Sequence, residues 1–229
     1  MTQGSFFGVG EIEFSPTSPV LAFDPLVRTN SQRVVHLAQL GYLPEPVLDP
    51  TYGLGGMWND HLPRDLVTAD ADSQRDTQVR CDFMALPFKD DSFQSCIFDP
   101  PYKSGGDEEY KRTDVLVGGH DSIANRYGVN TGRKQGVAKL IELGLAECVR
   151  VATAFVVVKC QDQIHNNRFQ FQTGDVAELA ESYGWRVKDM LHLNNSISQP
   201  QGTAQRHARR NYSTFVVLVP SVTNQRRNA

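Results

Sequence analysis

A chain of 229 residues with 40% hydrophobic and 21% charged side chains has the material for one α/β domain with a sizeable core, as in a soluble globular protein. No apolar run approaches the roughly 18 residues that a membrane-crossing helix needs, and Met1 to Phe7 show no basic segment followed by an apolar block, so a cytoplasmic protein without a membrane partner is expected. Net charge is −3, but residues 1–102 carry 6 Lys/Arg against 14 Asp/Glu whereas residues 103–229 carry 17 against 12, which assigns any phosphate-contacting surface to the second half.

In chain order, residues 1–28 form an irregular arm rich in Gly, Ser, Pro and Phe. Thr29-Asn30-Ser31 offers a helix cap, followed by the stripe Val34, Val35, Leu37, Ala38, Leu40 and a glycine stop at Gly41. Strands are predicted at 46–49, 66–70, 79–82, 94–98, 154–159, 186–193 and 213–219. A polar loop fills 103–132, and helices are predicted near 134–150 and at 174–183, the second stopping at Gly184. Residues 223–229 read as a frayed tail, and no repeat or linker divides 1–229, so a single domain is expected. The four cysteines, Cys81, Cys96, Cys148 and Cys160, lack Cys-x-x-Cys spacing and read as reduced, buried thiols, with no metal expected.

Seven strands interleaved with helices predict a mostly parallel, Rossmann-like sheet with helices on both faces. The last two strands have no helix between them and are expected to pair antiparallel. Right-handed crossovers then gather the parallel strand C-termini on one edge, where ligands of such sheets bind.

Two motifs fall at strand C-termini. The first is the turn Asp49-Pro50-Thr51-Tyr52-Gly53-Leu54-Gly55-Gly56, in which Gly53, Gly55 and Gly56 permit unusual φ values and close approach of a ligand to the backbone. The next predicted strand ends at Asp70, seventeen residues after Gly53, where a carboxylate can accept hydrogen bonds from ribose hydroxyls; Asp72 is the alternative. One strand later, Asp82 can accept from an adenine amino group and Phe83 can pack on its ring. Such acids also cap turns in many proteins.

The second motif is Asp99-Pro100-Pro101-Tyr102, which follows the apolar run Ser95-Cys96-Ile97-Phe98. An aromatic amine is a poor nucleophile because its lone pair is delocalised into the ring. The Asp99 carboxylate and the Pro100 carbonyl can each accept one of its N–H groups and draw the nitrogen toward tetrahedral geometry. The two prolines, Pro100 and Pro101, hold the backbone extended, and Tyr102 can stack on the ring.

Together these motifs resemble the class I amino-methyltransferases, which move a methyl group from S-adenosylmethionine (SAM) to an exocyclic nitrogen of a base. The resemblance covers most of residues 45–219 by motif order. It implies a cofactor site formed by Asp49, Thr51, Gly53, Gly55, Gly56, Asp70 or Asp72, Asp82 and Phe83, with S-adenosylhomocysteine as product. With about 45 residues between the motifs and no room for a separate recognition domain, the chain is similar to compact DNA methyltransferases of bacteriophages and bacteria. Arg210-Asn211-Tyr212-Ser213-Thr214 and Lys159-Cys160-Gln161-Asp162-Gln163 also resemble phage members. One departure is Pro63, which cuts short the helix expected after the glycine turn.

The substrate implied is a DNA base, adenine ahead of cytosine, flipped out of the duplex or single-stranded. Candidate nucleic-acid contacts are Lys103, Lys159, Gln161, Arg206, Arg209 and Arg210, with Lys111, Arg112, Arg126, Arg133 and Lys134 in the polar loop. Two rival readings are an RNA guanine or adenine methyltransferase and a non-catalytic, SAM-sensing nucleic-acid-binding module.

Overall fold

The computed structural model describes residues 27–101, 137–165, 168–194 and 211–221. Helix α1 (Asn30–Gln39) starts where Thr29 accepts the Gln32 N–H on its side chain, 3.2 Å. It ends at Gly41, whose φ of 74° lets its own N–H reach Ala38 and that of Tyr42 reach Leu37. The strands that follow are β1 (Val47–Asp49), β2 (Leu66–Asp70), β3 (Val79–Arg80) and β4 (Phe93–Phe98). Then come α2 (Val137–Val151), β5 (Ala152–Cys160), β6 (Gln163–His165), β7 (Arg168–Gln170), α3 (Gln172–Ser182), β8 (Trp185–Asn194) and β9 (Tyr212–Pro220).

Seven strands form one sheet in the order β3-β2-β1-β4-β5-β9-β8. The pairs β1–β2, β1–β4, β2–β3 and β4–β5 are parallel, while β9 runs antiparallel to both β5 and β8. This is the mostly parallel, Rossmann-like sheet with a reversed last strand that the missing crossover helix predicted. The reversed strand lies one place in from the edge, so β8 becomes the edge strand.

Period-two alternation divides the core between the two faces. Leu48, Cys96, Phe98, Val156, Val158, Val216 and Leu218 pack with α2 and α3 on one side. Val47, Ile97, Phe155, Val157, Phe215 and Val217 pack with α1 and with Met57 and Trp58 on the other. Helices therefore cover both faces.

The regular βα rhythm is not kept throughout. Between β1 and β2 stands only a 3-10 turn, Gly56–Trp58, as Pro63 foretold. The β2–β3 and β3–β4 connections contain no helix. In the second of these, Phe83 and Leu86 bury themselves against α2, taking the place of a helix face. Strand β3 closes at Arg80 rather than 82, because Asp82 accepts the Met84 N–H at 2.9 Å and turns the chain there. The hairpin β6–β7 was not anticipated; it lies between the predicted strand at 154–159 and the predicted helix at 174–183.

Candidate functional site

Because β1, β2, β4 and β5 are parallel, Asp49, Asp70, Asp99 and Cys160 all stand at or just past strand C-termini on the same edge. The sheet order reverses between β1 and β4, the kind of switch point at which open parallel sheets bind ligands. The glycine turn follows one of these strands and Asp99 the other.

A run of polar contacts joins the two motifs. Asp49 is buried; it accepts the indole N–H of Trp58 at 2.8 Å and the backbone N–H of Thr51 at 2.9 Å. The Thr51 hydroxyl lies 3.4 Å from the same carboxylate and accepts the backbone N–H of Asp99 at 2.9 Å. Asp99 in turn accepts from the Lys159 ammonium at 3.0 Å. Lys159 is only 6% exposed at its side chain, against 23% for Asp99, and its ammonium sits 5.9 Å from the centre of the Phe215 ring.

The glycine turn is held from the neighbouring strand. Gly53 and Gly55 have φ of 58° and 73°, values that a side chain makes costly. The Asp70 carboxylate accepts the Gly53 N–H at 2.9 Å on one oxygen and the Asp72 N–H at 2.8 Å on the other. The Gly55 N–H closes a turn onto Tyr52. Gly53 and Gly55 thus spend their N–H groups inside the turn. The open side of the turn is at Gly56, where an added Cβ would meet nothing within 4 Å. Asp70 still has acceptor capacity, since each carboxylate oxygen offers two lone pairs. An acid with spare acceptors beside an open glycine backbone fits a polar, hydroxyl-bearing ligand.

Three further expectations change. Phe83 is buried in the core, its ring 5.2 Å from that of Phe98, and cannot pack on a ligand at the edge. Its place was read from a strand running to 82; closing at Arg80 turns Phe83 inward. Lys159 does not face a phosphate backbone: a buried ammonium held by a carboxylate is a partner of Asp99. Gln161 is buried too, its N–H donating to Gln172.

Asp72 pairs with Arg75 at 3.1 Å, and Asp82 caps its own turn. Pro100 is buried and Pro101 half-buried. Tyr102, Lys103, Lys111, Arg112, Arg126, Arg133, Lys134, Arg206, Arg209 and Arg210 lie outside the described residues. The Lys159–Asp99 pair escaped the sequence reading although a signal was there. A lysine between Val158 and Cys160 on a central strand must bury its charge and therefore needs a carboxylate within reach.

Burial pushes the Asp49 carboxyl up to about 7, against the opposing pull of the Trp58 and Thr51 donors and with a smaller push from the Asp99 charge. Its ordinary value is 3.8, so between about pH 4 and 7 the folded protein holds a proton that the unfolded chain has released. Stability from this group is therefore full below 3.8 and is lost as pH rises through about 7. At about 1.4 kcal/mol per pKa unit the loss amounts to a few kcal/mol at most. Asp49→Asn is expected to flatten the fall in melting temperature between pH 5 and 8; parallel curves for the two proteins would contradict this.

No family model matches the chain, and neither does any curated protein. Solved structures do resemble it. A candidate DNA modification methylase of Thermus thermophilus aligns at 9% identity over 59% of this chain and 47% of its own, with a TM-score of 0.34. TrmN of Thermus thermophilus aligns at 13% over 83% and 48%, with a TM-score of 0.45. The magnesium protoporphyrin IX methyltransferase of Synechocystis PCC 6803 with bound SAH aligns at 12% over 84% and 81%, with a TM-score of 0.46. The chain spans about half the length of the first two. These likenesses concern the course of the chain alone and name no family or substrate for it.

Proposed function

We propose that the chain is a SAM-dependent amino-methyltransferase acting on a nucleic-acid base, with adenine in DNA as the favoured substrate. The observation that carries this reading is the hydrogen bond from the Asp99 N–H to the Thr51 hydroxyl, which ties the amine-binding motif to the glycine turn at the switch point of the sheet. When bound, SAM supplies a methyl group on a sulfonium, an electrophile open to in-line displacement.

The chain's own residues do the rest. Asp70 accepts ribose hydroxyls on its spare lone pairs, next to the glycine turn that it holds through the Gly53 N–H. Asp99, which is partly exposed, accepts one N–H of the target amine on the oxygen not held by Lys159. The Pro100 carbonyl accepts the other. The amine nitrogen then carries its lone pair toward the methyl, and the negative charge of Asp99 favours the ammonium that develops there. The extra proton of that ammonium passes to Asp99 or to water.

The test is labelled-methyl transfer to DNA and to RNA of matched sequence, with calorimetry for SAM and S-adenosylhomocysteine. Transfer to DNA adenine is the expected result. Transfer to RNA alone would move the substrate, and binding of the cofactor with no transfer to either would turn the chain into a SAM-sensing module. Absence of cofactor binding would end the proposal.

A further inference from the structure

The hairpin β6–β7 has no part in the polar run from Trp58 to Lys159, yet it rises from the same edge. It begins three residues after Cys160, the last residue of β5, one position beyond Lys159. On it and just after it stand two of the five exposed large hydrophobic side chains among the described residues: Phe169, 46% exposed, and Phe171, 57% exposed. Their rings stack, with centroids 6.0 Å apart and planes 28° from parallel.

The root of the hairpin is tied by buried hydrogen bonds. The Gln161 N–H donates to the Gln172 side chain at 3.1 Å. Thr173 donates its N–H and its hydroxyl to the Asp162 carboxylate, each at 3.0 Å. All four residues are buried. Phe171 is seated as well: a Cβ on Gly174 would lie 2.3 Å from its ring, so only glycine lets that ring rest on the first turn of α3. Two aromatic rings are therefore held in place, and half in water, by a root of satisfied buried hydrogen bonds. Such an arrangement exposes apolar area at a cost that folding alone does not require.

We infer that the stacked Phe169–Phe171 pair is a platform for unpaired bases of the nucleic-acid strand that carries the target. This rests on the function proposed above. The patch is two rings wide, far below the roughly 800 Å² per partner of a stable protein interface, but it suits one or two bases. Arg168 is exposed next to it, a cation where the strand's phosphates would run. Bases within a duplex have no open face, so the platform takes bases already unstacked, as extrusion of the target requires.

The full chain is tested by fluorescence anisotropy with a fluorescein-labelled, mixed-sequence single-stranded DNA oligonucleotide and its RNA counterpart. Phe169→Ala is expected to weaken binding at least about tenfold, Phe169→Tyr to keep it within about threefold, and Phe171→Ala to weaken it comparably. Affinity for S-adenosylhomocysteine stays unchanged in all three. Should Phe171→Ala unfold, the Phe169 pair still decides. Unchanged oligonucleotide affinity in Phe169→Ala overturns the inference and leaves the proposed reaction standing. Ring-dependent binding without methyl transfer upholds the platform and overturns the reaction. No oligonucleotide binding by the native chain, or ring-dependent binding to anionic phospholipid vesicles in its place, overturns the platform.

Discussion

Asp99→Asn is expected to lower the rate of the proposed methyl transfer about a hundredfold or more while leaving the affinity for S-adenosylhomocysteine within about threefold. The substitution keeps the shape of the side chain and the backbone N–H that bonds to Thr51, so the two motifs stay joined. An amide oxygen can still accept from Lys159. What disappears is the negative charge that faces the amine nitrogen in the proposed reaction, which matters most when that nitrogen becomes an ammonium. The loss should thus appear in kcat, with KM for the nucleic acid little changed. Equal kcat in the variant and the native chain, measured at saturating SAM, would remove Asp99 from the reaction.

Lys159→Met tests the other half of the pair. Methionine roughly matches the buried stem in length and can rest on the Phe215 ring, but brings no charge. Asp99 then loses the ammonium 3.0 Å away that fixes one of its oxygens. We expect kcat to fall about tenfold to a hundredfold with KM for the nucleic acid little changed. A purely structural lysine would lower stability and leave kcat of the folded variant unchanged.

The unequal burial of the two partners adds a second readout. Asp99→Ala takes the carboxylate away from a lysine that is 6% exposed, whereas Lys159→Met leaves a carboxylate 23% exposed that water can reach. Removing one partner of a buried pair costs about 3–5 kcal/mol, less where the survivor can hydrate. Urea unfolding should therefore find Asp99→Ala the more damaging of the two. The reverse order would mean that Lys159 finds another carboxylate when Asp99 is gone.

How far the sequence reached differs from element to element. The strand Leu66–Asp70 was legible to the residue, because an apolar run bounded by Pro63 and the Asp70-Ala71-Asp72 turn leaves little room for another reading. The strand at 79 was not. Two residues of ladder are too few for a period to show, and the turn capped by Asp82 closed it early and sent Phe83 into the core. A βα rhythm was expected, yet the β2–β3 and β3–β4 connections carry no helix; in the second of them Phe83 and Leu86 cover the sheet as a helix would. The hairpin β6–β7 went unseen because Gln161 to Gln172 is polar and its order comes from hydrogen bonds between residues eleven apart, Gln161 to Gln172 and Asp162 to Thr173.

By itself the amino-acid sequence determined the class of the sheet, the reversed last strand and the position of both motifs at strand ends, all of which follow from local periodicity and from the presence or absence of a crossover helix. Only the tertiary structure decided what each polar side chain faces. The order β2-β1-β4-β5 is what sets Thr51 against Asp99 and Lys159 beneath it, contacts spanning 48 and 60 residues. Strand order arises from the packing of the whole core, and a buried charge takes whichever partner that packing brings near, so Lys159 turned from a surface contact into the counter-ion of Asp99.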